Sequence, residues 1–245
     1  MLNFIKEFYI ARNTTILIYG KIQHKTISFL KQISLPNGMR LIRDNIYNNF
    51  NKTVIKLKKD DLEQSVFSIS FVVSGSGNKE KYALSVLSTV LGGNMSSRLY
   101  LKLREEKGLV YNVSCDLYLY PSIGYICING GCHPKNTVKS INIILNELKK
   151  IKTEIMHKKE LDLFLNYMES TEKMEMEDSD NIVEHYTNSI IIYNSIKTPE
   201  YTIGKYRKMT PLKIKTIANK YLTNNMCIVV IGNHKIQDLI GKIMV

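Results

Sequence analysis

Arg104 and Tyr111 combine a guanidinium and a phenol on either side of Gly108. A guanidinium donates hydrogen bonds to carbonyl or carboxylate oxygens, and a phenol can donate to an oxygen on which negative charge develops. Both residues also have ordinary structural uses, since arginine is favoured in a last helical turn and tyrosine packs its ring at a strand start. Their chemistry therefore has to be judged from the elements that carry them.

A helix is predicted to hold Arg104, within the stretch Leu91–Tyr111, LGGNMSSRLYLKLREEKGLVY. The pair Gly92-Gly93 interrupts an earlier apolar helical pattern. We predict that Ser96 or Ser97 caps the new helix by accepting a hydrogen bond from an early backbone N–H. Apolar residues one turn apart then indicate a buried face on this helix.

Gly108 is predicted to end that helix, because a residue without a Cβ readily takes the left-handed conformation. The next residues, Leu109-Val110-Tyr111, have strand chemistry. Arg104 therefore closes a helix and Tyr111 opens a strand, which brings both side chains to the same end of the fold.

This stretch resembles the signature of the second half of the pitrilysin family of zinc peptidases, which includes the mitochondrial processing peptidase and the insulin-degrading enzyme. In that family two homologous halves close over a peptide. One half carries zinc on an H-x-x-E-H motif, and the other contributes an arginine and a tyrosine to the substrate. The resemblance implies that Arg104 and Tyr111 are this pair and that zinc lies on a partner half.

Other residues also match the family pattern, and the resemblance implies that two of them, Gly130 and Gly131, contribute to substrate binding. Arg98 is expected to brace the glycine turn. Gly130 and Gly131, on a predicted hairpin strand, are expected to allow close approach of a neighbouring strand or of the peptide. The structural signature implied by the resemblance consists of Gly92, Gly93, Ser96, Ser97, Arg98 and Gly108.

The composition is that of a globular protein with a basic charge. The 245 residues carry a formal net charge of +12, but the lysines are dispersed and no recognisable nucleic-acid motif accompanies them. We therefore predict no specific nucleic-acid partner, because phosphate affinity needs clustered charge. The apolar runs are too short for a membrane span, and the first residues lack the apolar core of a secretory signal.

Four cysteines indicate a reducing compartment. Cys115, Cys127, Cys132 and Cys227 show no C-x-x-C spacing and lie mainly in strand-like runs. We expect buried, reduced thiols and an intracellular location, cytoplasmic or organellar.

An internal echo suggests that the chain begins with the end of a preceding homologous unit. Residues 4–20 and 216–232 each read as a helix end, a polar turn, an apolar strand and a glycine. We predict that residues 1–32 are a remnant of a first half plus a linker, and that residues 33–245 are the second, non-zinc domain. The matched positions are Tyr9 with Tyr221, Asn13 with Asn225, and Gly20 with Gly232.

The remaining pattern predicts an α+β fold, with a mostly antiparallel sheet and a block of helices packed on one face. This would be one half of a two-half clamshell. Strands are predicted at 38–46, 53–59, 65–74, 109–120, 123–131 and 227–232. Helices are predicted at 79–91, 134–153, 158–174, 178–193 and 211–221, with a helix or linker at 21–33.

No zinc motif is found among the five histidines. His157–Leu161 reads HKKEL and Asn181–His185 reads NIVEH, so each supplies too few ligands. We interpret His157, Glu160, Glu184 and His185 as helix-surface residues. The segment 82–91, where the family places its zinc helix, contains no metal-ligating side chain.

The sequence thus predicts the substrate-clamping half of a zinc metalloendopeptidase, inactive alone and binding no cofactor. It needs a zinc-bearing half upstream or in trans and takes a peptide substrate. The alternative is a catalytically inactive core subunit on the same fold, which the resemblance also allows. A basic RNA- or membrane-surface binder is a third reading, and steep weakening of binding with salt would distinguish it.

Overall fold

The structure is a computed structural model that describes residues 1–38, 53–59, 61–193 and 195–233. The predicted strand at 38–46 lies, apart from Gly38, outside these residues. The described residues fall into two compact units, one within Met1–Asn45 and Glu169–Tyr201, the other within Ile46–Met168 and Thr202–Val245. The predicted boundary after residue 32 stays a prediction.

The elements follow the predicted order. The amino-terminal part contains α1 (Leu2–Phe8), a 3₁₀ turn (Ala11–Asn13) and α2 (His24–Gln32). Strands β1 (Thr53–Lys58) and β2 (Ser65–Ser74) precede α3 (Lys81–Gly92), α4 (Arg98–Tyr100) and a π-helical turn (Leu101–Glu105). The hairpin of β3 (Val110–Leu119) and β4 (Ile123–Cys132) leads through a 3₁₀ turn (Pro134–Asn136) to α5 (Thr137–Thr153), α6 (Lys158–Glu175), α7 (Ser179–Tyr193), α8 (Pro199–Tyr206), α9 (Pro211–Tyr221) and β5 (Met226–Gly232).

The five strands within the described residues form one mixed sheet in the order β1-β5-β2-β4-β3. Three pairs are antiparallel, and β1 with β5 is parallel. The prediction of an α+β fold with a mostly antiparallel sheet is confirmed. β5 returns from the end of the chain to a central position between β1 and β2.

Strand β2 shows why one face of the sheet is covered. Its alternate residues Phe67, Ile69 and Phe71 are buried, whereas the intervening Ser68 and Ser70 are only half-buried. A strand alternates its side chains between two faces, so the apolar set lies against the helices and the polar set on the opposite face. The core of this unit also takes buried residues from α3, α5, α6 and α9: Leu84, Leu87, Leu91, Ile141, Ile144, Phe164, Ile214 and Ala218.

Three sequence predictions differ from the structure. Helix α8 was not predicted, because its eight residues carry a weak apolar pattern and a glycine, Gly204. The predicted helix after the glycine pair is one α-helical turn continued by a π-turn. The predicted strand in the first copy of the echo is not formed, since residues 14–19 are assigned to neither a strand nor a helix.

Candidate functional site

The site begins where α3 ends against β3. A Cβ on Gly92 would lie 2.5 Å from the backbone nitrogen of Cys115 and 2.8 Å from the carbonyl carbon of Ser114. Only glycine allows the helix to approach the strand this closely. Gly92 therefore sets the distance between the helix and the strand that carries Tyr111.

The predicted serine cap is wrong. Ser97 occupies the N-cap position of α4, but no backbone N–H bonds to its side chain. Its hydroxyl instead donates to the Asn94 carbonyl at 2.6 Å, while the Asn94 side-chain oxygen accepts from the Ser96 amide at 2.9 Å. Asn94 organises this turn, because an asparagine side chain can accept a bond from the backbone two residues on.

Arg104 lies in the π-helical turn Leu101–Glu105, where the Glu106 amide bonds to the Leu101 carbonyl at 2.8 Å. A π-turn adds one residue to the helical turn and so changes the direction of the side chains that follow. Leu103 in the same turn is fully buried and fixes the segment to the core. No pattern in the sequence indicates this turn.

Gly108 ends the helical segment as predicted. Its φ is +54°, which is the left-handed conformation that glycine adopts without steric cost. The amides of Gly108 and Leu109 bond back to the carbonyls of Arg104 and Leu103 at 3.2 Å and 2.9 Å. The chain thereby reverses into β3 within two residues.

The Arg104 guanidinium is bonded to the start of β3. Its Nη1 donates to the carbonyl oxygen of Val110 at 2.9 Å, although the side chain as a whole is exposed. A guanidinium has five donors in a planar fork, so this single bond leaves donors able to bind a second acceptor. Arg104 is therefore oriented beside the residue that precedes Tyr111.

Tyr111 lies at an irregularity of the sheet. Val110 pairs with Cys132 and Asn112 pairs with Gly131, so Tyr111 is an extra residue in β3. A bulge of this kind redirects a side chain, and the Tyr111 side chain is 51% exposed. Among the described strands, β3 lies at one end of the sheet. Tyr111 thus lies at the margin of the described sheet and directly follows the residue whose carbonyl holds Arg104.

The glycines of β4 have neighbours within the chain. A Cβ on Gly130 would collide with the Phe67 ring, on the core face. A Cβ on Gly131 would meet the Asn112 side-chain oxygen at 2.8 Å. Side chains of the neighbouring strands therefore occupy the space beside both glycines, and close backbone approach of a strand or a peptide stays a prediction. Asn112, exposed next to Tyr111, was not identified from the sequence because a lone asparagine carries no motif.

Arg98 has a structural role, but through a different partner than predicted. Its Nε and Nη2 donate to the two carboxylate oxygens of Glu160 at 2.6 Å and 2.9 Å. The pair ties the start of α4 to α6, and hydrogen bonding to Glu160 raises the pKa of Arg98. Interpreting Glu160 as an ordinary surface residue was wrong, because a bidentate pair of this geometry is specific.

No group of three or more His, Cys, Asp or Glu side chains is placed to hold a metal ion in the described ranges. Of the near-miss residues, Glu160 is paired with Arg98. His185 bonds to the Lys197 carbonyl at 2.9 Å and lies 3.5 Å from Glu172. His157 accepts from the Lys159 amide at 3.4 Å. These residues do not fit a zinc centre, which needs three converging ligands and an open position.

In the described part of the chain, no helix is long and apolar enough to cross a bilayer.

All four cysteines are free, and three of them are buried. Burial raises the pKa of Cys115 and of Cys132, so neither is suited to act as a thiolate nucleophile.

The fold defines the class of protein as an α+β domain with helices packed on one face of a mostly antiparallel sheet. The family model described as "Peptidase M16 inactive domain" matches residues 1–166. The chain therefore belongs to the peptidase M16 inactive domain family, which is the pitrilysin-type carboxyl-terminal half expected from the resemblance.

Individual relatives agree with this assignment. The chain is 26% identical over 180 residues to an uncharacterized zinc protease of Mycobacterium tuberculosis, covering 74% of this chain and 41% of that protein. The structure of a peptidase M16 inactive domain from Pseudomonas fluorescens superposes with a TM-score of 0.85 at 20% identity, covering 96% and 57% of the two chains. A chain of complex III2 from Candida albicans gives 0.75 at 12% identity, covering 90% and 55%. The chain thus spans about half the length of the relatives it matches.

Proposed function

We propose that this chain is the substrate-clamping half of a zinc metalloendopeptidase. A zinc-bearing H-x-x-E-H half, on the same polypeptide or a separate one, supplies the metal, and this half grips the peptide. Zinc polarises a carbonyl and activates water when bound there. The residues of this chain orient the substrate, and no zinc ligand comes from it.

The observation that carries the proposal is the anchored pair at the start of β3. One Arg104 donor is fixed on the Val110 carbonyl, and the bulge exposes the neighbouring Tyr111. A prepositioned guanidinium can bind a substrate carbonyl or carboxylate, and a phenol can donate to a carbonyl oxygen that gains charge. Because both side chains belong to one helix–strand junction, they act on the peptide as a unit.

The test is peptide cleavage by a mixture of this chain with a zinc-bearing half, such as the corresponding part of the M. tuberculosis relative. Arg104→Ala and Tyr111→Phe should each lower kcat/KM by about 100-fold or more, the usual cost of losing one donor to a developing oxyanion. Tyr111→Phe removes only the hydroxyl, so its thermal unfolding should match that of the wild-type chain.

Matched controls are available on the same two elements. Lys107→Ala removes another exposed cation from the helix end, and Tyr118→Phe removes an exposed hydroxyl from the same strand. Both variants should cleave as the wild-type chain does. If Arg104→Ala and Tyr111→Phe cleave as well as these controls, the clamping role is wrong.

A catalytically inactive core subunit is the second candidate. Its support is the likeness to a chain of complex III2, which at 12% identity concerns the fold alone. On this reading the mixture forms a stable complex, and cleavage does not depend on Arg104 or Tyr111. The same set of variants therefore separates the two functions.

A further inference from the structure

A cavity of about 390 Å³ lies between α5 and the loop that joins α9 to β5. The two strands beneath it end at different levels. β5 begins at Met226, which pairs with Phe71, whereas β2 continues to Ser74. Beyond Phe71, β2 pairs only with β4 among the described strands. The sheet is therefore narrower at this end, which leaves space under the helices.

The interior of the cavity is apolar. Phe71 and Met226 line it from the sheet, and each is 2% exposed. Leu148 of α5 and Leu222, the residue after α9, line it from the helices and are also buried. Leu145, one turn before Leu148, is only partly buried and lines the same space. A ligand in the cavity would therefore meet apolar surface on the sheet side and on the helix side.

The rim of the cavity is polar and carries positive charge. Lys149 and Lys152 of α5 line it, and no Asp or Glu is among its described lining residues. The Lys152 Nζ donates to the Leu222 carbonyl oxygen at 2.9 Å, so this ammonium is held at the cavity. Lys149 is exposed, and its ammonium has no hydrogen bond or ion pair with any described residue. The other polar residues that line the cavity are neutral: Asn146, Thr223 and Asn224.

These features define the chemistry of a ligand. The volume lies in the range of small-molecule sites, roughly 300–1,000 Å³. Removal of apolar surface from water favours an apolar group in the interior. Two ammonium groups without a neighbouring carboxylate favour an anion at the rim, where charge-assisted hydrogen bonds are strong. The cavity therefore suits an amphipathic anion, and not a cation, a sugar or inorganic phosphate alone.

The cavity and the candidate pair lie at different ends of the sheet. Phe71 is five residues from Val66 along β2, and Val66 pairs with Gly131, which in turn pairs with Asn112 beside Tyr111. At about 3.3 Å per residue, the cavity floor lies on the order of 16 Å along the strands from the start of β3. A small ligand in the cavity therefore does not reach Tyr111.

We propose that this cavity binds a small carboxylate with an unbranched apolar tail, a free medium-chain fatty acid. The tail contacts Phe71, Leu148 and Met226, and the carboxylate accepts hydrogen bonds from Lys149 and Lys152. The inference does not rest on the clamping role, because this half alone supplies both the apolar surface and the two cations.

Methionine-methyl NMR of the full chain tests the position of the ligand. The probe is octanoate, titrated into protein that carries ¹³C-labelled methionine methyl groups. The Met226 signal should shift and saturate with a Kd below about 1 mM, a usual affinity for a ligand of about ten non-hydrogen atoms. Met156, which is buried but does not line the cavity, is the internal reference. Hexanoate should bind about tenfold more weakly, since two CH₂ groups fewer are buried.

Charge variants test the rim. Lys149→Gln removes one ammonium, and Asn146→Asp adds a carboxylate without changing the shape of the side chain. Each should weaken octanoate binding by about fivefold at low salt. Both positions are exposed, so thermal unfolding should match that of the wild-type chain. The matched control is Lys139→Gln, which replaces an exposed lysine of α5 that does not line the cavity, and it should bind octanoate as the wild-type chain does.

Two other probes test the class of ligand. Octylamine carries the same tail on a cation and should leave the Met226 signal unchanged at concentrations where octanoate saturates it. An acetylated tripeptide ending in leucine offers a carboxylate and an apolar group from a peptide terminus. It should bind more weakly than octanoate, because its peptide groups would lose water in an apolar cavity.

The outcomes decide the inference. An unmoved Met226 signal, an equal effect of octylamine, or unchanged affinity in both Lys149→Gln and Asn146→Asp would each overturn it. Tighter binding of the tripeptide than of octanoate would assign the cavity to a peptide terminus and overturn the fatty acid as its ligand.

Discussion

Gly92 and Gly204 are both helical glycines, yet they lie in opposite surroundings. Gly92 is the last residue of α3 and leaves no space for a Cβ beside Cys115, whereas a Cβ on Gly204 in α8 would meet nothing within 4 Å. Glycine destabilises a helix interior relative to alanine. The same substitution should therefore have opposite effects at the two sites.

We expect Gly92→Ala to lower the free energy of unfolding by about 1–3 kcal/mol, the usual range for overpacking against a rigid neighbour. Gly204→Ala should raise it by about 0.5–1 kcal/mol through helix propensity. Urea unfolding of both variants measures the two effects. If both variants destabilise the chain equally, the close approach of α3 to β3 does not explain the glycine at position 92.

At the scale of single residues, the sequence predicted those features that depend only on the conformational preference of the residue itself. Gly108 takes the predicted left-handed conformation because that preference is intrinsic to glycine. Ser97 does not cap the helix, because its hydroxyl donates to the Asn94 carbonyl and no helix amide bonds to it. The bond between Arg98 and Glu160 joins residues far apart in the chain, and a single sequence carries no signal of such a pairing.

At the scale of elements, periodicity predicted the long helices and the strands well. The π-turn that carries Arg104 was missed because it follows from packing Leu103 into the core while α4 continues. The bulge at Tyr111 was missed because it depends on the register with β4. The two features that orient the candidate pair are therefore tertiary effects. Residues 14–19 make the same point, since an apolar segment becomes a strand only beside a partner strand, and none is assigned to them.

Lys81 gives an element-scale prediction at the start of α3. Burial lowers its pKa from 10.5 to about 8, and the positive end of the helix dipole also disfavours a cation there. Below pH 8 the lysine is charged in both the folded and the unfolded state, so the folded state carries the full cost of partial burial. As the pH rises from 8 to 10.5 the folded state loses its proton first, and this cost disappears.

Lys81→Met should therefore stabilise the chain at pH 7 by about 1 kcal/mol, a value reduced for the solvent screening of a half-buried group. The gain should shrink between pH 8 and pH 10.5 in urea unfolding experiments. Lys79→Met, an exposed lysine just before the same helix, is the matched control and should show no such dependence. A gain for Lys81→Met that stays constant across this range would contradict the burial argument.

At the scale of the whole molecule, the chain has the construction of one half. Its sheet has helices on one face, its charge of +12 is dispersed, and the described residues contain no cluster of ligands for a metal. It spans 41% of the M. tuberculosis relative named as a zinc protease. The family could be inferred from one stretch of sequence, because the signals for the helix, for the glycine that ends it and for the strand that follows are all local. The identity of a partner half could not be inferred in this way, because no local signal in this stretch specifies the surface of another half.

Zinc content distinguishes a half from a complete enzyme. Since the described residues offer no converging ligand set, we expect the purified chain to retain less than about 0.1 equivalent of zinc after dialysis, because a structural or catalytic site needs three or four ligands. Its thermal unfolding should be unchanged by a chelator, as no folding free energy is coupled to metal binding. Peptide cleavage by the mixture with the zinc-bearing half should be lost on chelation and restored by added zinc. One tightly held zinc per chain, measured by mass spectrometry together with cleavage by the chain alone, would show that this polypeptide contains the catalytic centre itself.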